Sequence, residues 1–459
     1  MAYRLERDVL GSVKVPKDAY YGSETQRAVE NFQISGILVE QEFIAAYAEL
    51  KRAAAAANMA AGKLDARKGR AIARACTEIM KGRLREEFVV DVFQAGAGTS
   101  TNMNLNEVIA NRAIEILGGR RGNYRIVHPN DDVNMSQSTN DTFHTVMHIS
   151  SYRAVREKLL PAMEGLEKAL GGKAKSFRHI IKTGRTHLQD AVPIRLGQEF
   201  SGYEGGVASV RKRVEESANH LLAIPLGGTA VGTGINAGIA YRDMAIRELN
   251  KSTGYKFRKS ESIFTSMQNP ISELALAGSL AESSIMLGKI ANDFRLLASG
   301  PRTGIGELFL PEVQPGSSIM PGKVNPSMAE MLNMVCFQVI GNSESVRHAV
   351  GAGQLELNVF MPVIAYNLLF SIRILSNGIA AFRMKCVDGI KANEVRTSRN
   401  LEMDISRVTA LNPVIGYENA AKIARKAYLT GKSVREIALE EGVVDGKEID
   451  RYLDPERMV

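Results

Sequence analysis

Between residues 270 and 299, apolar side chains fall on more than one helical face: Ile271, Leu274, Leu276, Leu280, Ile285, Leu287 and Ile290. A helix with one apolar stripe covers a core from one side, whereas a helix apolar on several faces must be buried against several neighbours. The patterns at 326–350 and 358–393 are similarly long, and all three exceed the usual length of a globular helix. These segments point to a bundle of long helices continuing across subunits, hence a mainly all-α fold. Only 6% of residues are aromatic and none is Trp, a balance that favours closely packed helices.

At 459 residues the chain exceeds one typical core. Ala-rich patterning predicts helices over 41–64 and 65–86, and another over 107–117 with Asn106 as its N-cap. Helical patterning dominates again from 142 to 178 and, after Pro193, to about 222. Residues 89–93 form a short β-like run, and Ser433 with Glu436 forms a capping box near the C-terminus.

Net charge is +8 and the pI is near 9.2. No cluster of five or more Lys/Arg occurs, nor any aromatic interleaving that would stack bases, so no nucleic-acid partner is expected. Cys76, Cys336 and Cys386 are far apart and lack Cys-x-x-Cys spacing, which implies neither a disulfide framework nor zinc. The charged first eight residues do not read as a secretion signal. The apolar window from Val359 to Ile372 is interrupted by Asn367 and falls short of a bilayer span, so no membrane role is expected and the cytoplasm is the default.

Four polar stretches, 96–106, 136–142, 183–190 and 315–326, are predicted as loops at the ends of helices or strands. They supply Thr99, Ser100, Thr101, Asn102, Ser138, Thr139, Asn140, Thr186, His187, Ser317, Ser318, Lys323 and Asn325. Almost all are neutral donors, which suits a ligand carrying two carboxylates. No His/Cys/Asp/Glu cluster suggests a metal, and no cofactor is implied. Taken singly, the Thr99 and Ser138 hydroxyls could equally be helix caps. In 315–326 five residues separate Gly316 from Gly322 and Val324 follows Lys323, which excludes a phosphate-cradling P-loop. The glycine-rich segment 227–234 lacks Gly-x-Gly-x-x-Gly spacing and reads as a turn between helices.

Gly316-Ser317-Ser318-Ile319-Met320-Pro321-Gly322-Lys323-Val324-Asn325-Pro326 resembles the signature loop of the aspartase/fumarase superfamily. Gly98–Asn104 with Gln137–Asp141, and Gly184–Asp190, resemble its other two signature regions. The resemblance implies a homotetramer around a twenty-helix core, with each site drawing one region from each of three subunits. It implies three domains: an N-terminal helical domain at 1–139, a central long-helix bundle at 140–392 and a small C-terminal helical domain at 393–459. The implied reaction is reversible anti-elimination of ammonia or water from a small dicarboxylate. On the family pattern Ser317 is the base, with His187 also placed in the catalytic set. Lys323 and Asn325 bind a carboxylate, Thr186 and His187 make a second contact, and Thr99, Ser100, Thr101, Asn102, Ser138, Thr139, Asn140, Ser318 and Met320 complete the pocket.

His128-Pro129-Asn130-Asp131, Gly304-Ile305-Gly306-Glu307 and Phe360-Met361-Pro362 resemble fumarases. Ala97-Gly98-Thr99-Ser100 stands where fumarases usually show Ser-Gly-Thr-Gln, and Ser138-Thr139-Asn140 replaces their Ser-Ser-Asn. These two differences lie in pocket-forming segments, so the expected substrate is L-aspartate, with malate/fumarate interconversion as the alternative. A non-catalytic, crystallin-like assembly protein would be expected to have lost Ser317, Lys323 or His187, and all three are present.

Overall fold

The computed structural model describes residues 2–459, which are mostly helical. A hairpin of β1 (Tyr3–Asp8) and β2 (Gly11–Pro16) precedes α1 (Ser23–Asn31), α2 (Gln41–Ala60), α3 (Ala66–Met80), α4 (Thr99–Ile116) and α5 (Thr139–Ala154). Then come α6 (Leu160–Ser176), a second hairpin of β3 (Ile181–Thr186) and β4 (Gln189–Arg195), α7 (Leu196–Asn219), α8 (Ile239–Thr253) and α9 (Ile263–Gln268). Three long helices follow, α10 (Ile271–Leu297), α11 (Ser327–Gly351) and α12 (Met361–Lys385), before a series of shorter ones beginning with α13 (Glu394–Glu402).

The chain divides into two compact units. The first comprises the chain up to Leu160, Arg213–Glu282 and Gln338–Ile374. At its centre α2 packs against α3, α5 and α8. Its alanines permit that close approach, and Ala46, Ala48 and Ala54 are fully buried. Asp65 caps α3 by accepting from the Arg67 and Lys68 N–H groups. The second unit comprises Pro161–Lys212, Ser283–Phe337 and Leu375–Val459. Phe200, Phe294 and Phe382 stack through its core, with centroids 5.4 and 5.7 Å apart along the series. A separate apolar cluster including Leu411, Ile423, Ile437 and Ile449 holds the C-terminal helices together, and the Ser433–Glu436 capping box forms as expected.

Several expectations are corrected. The segment 99–104 is the first turn and a half of α4, and Asn106 is a buried mid-helix residue rather than a cap. Tertiary bonds offset the poor helix propensity of its asparagines: Asn104 Nδ2 donates to the Glu87 carbonyl at 2.9 Å. Residues 183–190 are a strand hairpin rather than a loop, because Thr186 pairs with Gln189 across a two-residue turn. The β-like run at 89–93 contributes only a bridge between Asp91 and Leu38. The apolar segment after 359 continues as helix to Lys385, and α10 and α12 are each long and apolar enough to cross a membrane by length and composition. Their most apolar windows are 50% and 61% buried within the fold, as in core helices. On the long helices Ile271, Ile285, Met334 and Phe337 are 58 to 65% exposed.

Candidate active site

In the first unit, α4 and α5 start beside each other. Gly98 has φ +78°, and a Cβ there would lie 2.1 Å from the Phe143 ring, so only glycine lets the two N-termini meet. Thr99 is exposed, and its hydroxyl reaches the Gly96 carbonyl at 3.3 Å without capping the helix. Ser100, Thr101 and Asn102 turn inward. The Thr101 N–H and hydroxyl both donate to Gln94 Oε1, and Asn102 Oδ1 accepts from Tyr47 at 2.8 Å. Thr101 and Asn102 are thus engaged in hydrogen bonds within the unit.

Ser138 does cap α5: its hydroxyl accepts the Asn140 N–H, and its own N–H donates to Asp141 Oδ1 at 2.9 Å. Thr139 is buried and Asn140 half-buried. Asp141 Oδ2 also accepts the Gly227 N–H at 2.8 Å, and Asn140 Nδ2 donates to the Ala230 carbonyl at 2.8 Å. The glycine-rich turn therefore braces the start of α5. Burial pushes the Asp141 carboxyl up to about 6. On the other side, Lys51 of α2 is fully buried and donates to Asn134 Oδ1 at 2.8 Å, fixing the approach to Ser138. Burial lowers its amine to about 7. Neither Lys51 nor Tyr47 was legible as part of this scaffold, since a lysine in an Ala-rich helix reads as solvated surface.

In the second unit, Thr186 and His187 stand exposed at the tip of the β3–β4 hairpin. His187 and Leu188 have φ of 57° and 60°, the left-handed turn conformation usually taken by Asn-Gly. Two non-glycine residues held there store strain of about 1–3 kcal/mol each. Below the tip, the Arg185 guanidinium straddles the fully buried Glu307 carboxylate at 3.1 and 2.8 Å. Lys182 Nζ lies 3.0 Å from the same carboxylate. Burial raises the Glu307 carboxyl, but Lys182 and Arg185 outweigh it and hold the group below the usual range.

The segment 315–326 folds into a closed flap in this unit. Gly316 N–H donates to the Lys323 carbonyl at 2.8 Å, and Asn325 Nδ2 donates to the Gly316 carbonyl at 2.7 Å. Ser317 is half-buried, while Ser318, Met320 and Lys323 are exposed. The Ser317 hydroxyl oxygen accepts the Ile319 and Met320 N–H groups at 3.2 and 3.0 Å. Among the described residues, no group of three or more His, Cys, Asp or Glu is placed to hold a metal ion.

The flap thus sets a serine oxygen in a local turn, accepting two backbone N–H groups, beside an exposed lysine. Comparison with known proteins gives the family. The family model described as Lyase matches residues 11–341, and that described as Fumarase C C-terminus matches 408–459. The class II fumarate hydratase of Helicobacter pylori is 47% identical over 459 residues, 100% of this chain and 99% of that protein. The aspartate ammonia-lyase of Bacillus subtilis is 48% identical over 456 residues, 99% and 96% of the two chains. Among solved structures, a fumarate lyase:delta crystallin from Brucella melitensis superposes with a TM-score of 0.95 at 47% identity, covering 100% of this chain and 99% of that one. A class II fumarase from Schistosoma mansoni gives 0.96 at 36% identity, with the same coverage. The chain belongs to the fumarase/aspartase superfamily of lyases.

Proposed function

We propose that this lyase removes ammonia from L-aspartate to give fumarate, reversibly, with Ser317 as the base. The carrying observation is the Ser317 oxygen accepting two backbone N–H groups. A proton on carbon next to a carboxylate is very weakly acidic, so removing it needs a strong base and donors for the aci-carboxylate that forms. A serine alkoxide is such a base, but each pKa unit by which it must be lowered costs about 1.4 kcal/mol. The Ile319 and Met320 N–H groups already point at the oxygen that would carry the charge. Lys323 and Asn325 hold one substrate carboxylate, with Met320 and Ser318 beside them on the flap. Thr186 and His187 make a second contact, and Thr99, Ser138, Thr139 and Asn140 complete the pocket.

The homotetramer with each site shared by three subunits follows from the family pattern, and the exposed apolar residues of α10 and α11 agree with it. A cytoplasmic location is part of the same reading. Loss of ammonia rather than water rests on Ala97–Ser100 and Ser138–Asn140, which depart from the fumarase pattern at the α4 and α5 N-termini. Malate/fumarate interconversion is the second reading, favoured by His128–Asp131 and Gly304–Glu307. Fumarate incubated with ammonium, and with water alone, separates the two. Aspartate formed only with ammonium supports the proposal; malate formed in both incubations, without aspartate, overturns it.

A further inference from the structure

Gly304-Ile305-Gly306-Glu307 has no contact role in the site as read above, yet its carboxylate is among the most heavily partnered buried charges in the second unit. Glu307 is fully buried and Lys182 is 2% exposed. Both cations facing it, Lys182 and Arg185, project from β3, the strand that ends at Thr186. Lys182 also meets Glu199 of α7 at 2.9 Å. From the other side, Asn400 of α13 donates to Glu307 Oε1 at 3.1 Å. The irregular segment that carries Glu307 is itself tied down: Arg396 donates to the carbonyls of Gly304 and Ile305, and Asn393 Nδ2 donates to the Gly306 carbonyl. The carboxylate is therefore a fixed point, and the hairpin is the part that it fixes. Removing this carboxylate would leave the half-buried Arg185 short of a counter-charge and the buried Lys182 with Glu199 alone, which is costlier than losing an exposed pair.

We propose that Glu307 is a positioning residue for the reaction, holding β3 through Arg185 and Lys182 so that the strained His187–Leu188 turn presents Thr186 and His187 at a fixed depth. This rests on the site reading given above, though not on which nucleophile the enzyme uses. The two-point grip explains why the tip can keep two non-glycine residues at positive φ: a hairpin free to relax would relieve that strain. It also gives Arg185 a geometric task that lysine cannot perform, because the planar fork meets both carboxylate oxygens at once.

The test is a double-mutant cycle on the full-length enzyme, run with fumarate and whichever of ammonium or water it accepts. Glu307→Gln is expected to lower kcat/KM on the order of 10²-fold, the loss that follows about 1 Å of misplacement. In a Thr186→Ala, His187→Ala background the same substitution is expected to cost less than about threefold, since there is nothing left for the hairpin to present. Equal losses in both backgrounds overturn the proposal, because a general stability defect would be independent of the tip. If Glu307→Gln does not fold, Arg185→Lys keeps the charge, loses the fork and runs through the same cycle with the same expectation. If Thr186→Ala, His187→Ala retains ordinary activity, the site reading fails first and takes the proposal with it.

Discussion

The hydroxyl oxygen of Ser317 accepts the backbone N–H of Met320 at 3.0 Å, and that of Ile319 at 3.2 Å. A neutral serine usually donates its proton to some acceptor, whereas this one sits where donors converge on its oxygen. On the proposed reading these two donors would stabilise negative charge on that oxygen. Because the flap is closed at its base by the Gly316–Lys323 and Asn325–Gly316 hydrogen bonds, the two N–H groups are held by the loop itself.

Ser317→Ala removes the oxygen and the two N–H bonds it accepts, both within an exposed segment where water can replace them. Turnover is expected to fall by at least about 10³-fold, on the scale of losing an activated group, while the thermal midpoint stays within experimental error. Near-normal kcat in the alanine variant would remove Ser317 as the base.

Gly316→Ala tests the flap without touching its polar side chains. A Cβ at Gly316 would lie 2.5 Å from the Lys323 carbonyl oxygen and 2.9 Å from the Asn325 N, both backbone atoms that cannot swing aside. The base of the flap must open, displacing Ser317, Lys323 and Asn325 together. Activity is expected to drop by about 10²-fold or more, with little loss of stability because the segment is largely exposed. Wild-type kinetics would show that the loop tolerates the opening.

Lys323 is exposed in this structure, and its backbone carbonyl rather than its side chain closes the flap. Lys323→Ala should therefore act on the substrate alone. The expected result is a raised KM for the dicarboxylate by about 10- to 100-fold, matching the roughly 1.5–3 kcal/mol of a charged hydrogen bond. An unchanged KM would contradict carboxylate binding by this side chain.

The long helices and the mainly helical class could be read from periodicity, because α10, α11 and α12 are apolar on too many faces to be anything but packed. The flap could be read from its prolines, glycines and lysine. What stayed hidden was every feature that depends on a partner distant in sequence. Thr99–Asn104 has loop composition but is helical, since Gln94, Tyr47 and Glu87 satisfy side chains that would otherwise compete with the helix. The 181–195 hairpin turns on His187-Leu188, a pair with no turn propensity, and is held in place by Glu307 about 120 residues away in sequence. Lys51, buried beneath the start of α5, carries no local signal at all.

Buried histidines make stability depend on pH. His144 and His148 of α5 are both buried with Glu273 of α10, and His148 Nε2 lies 2.9 Å from that carboxylate. His148 also bonds the Leu221 carbonyl through Nδ1, and burial, which disfavours its cation, is outweighed by Glu273, so its pKa is raised. His144 has one bond, Nδ1 to the Asn140 carbonyl, while its Nε2 is buried without a partner. Burial pushes it from 6.5 down to about 4 despite the nearby Glu273. Below pH 6.5 the unfolded chain takes up a proton at His144 that the folded chain refuses, so stability is lost as pH falls from about 6.5 to about 4. The His148 contribution runs the other way: it is complete below 6.5 and is lost as pH rises through its raised value. Glu273, with its pKa lowered, contributes above 4.5 and loses that contribution only as pH falls through its own lowered value. The acid limb between 6.5 and 4 therefore belongs chiefly to His144 within this cluster, with a size on the order of 3 kcal/mol. His144→Leu should flatten that limb in urea-unfolding midpoints measured from pH 7.5 to 4.5, while leaving the alkaline side unchanged. An acid limb as steep as in the wild type would assign the loss to other groups.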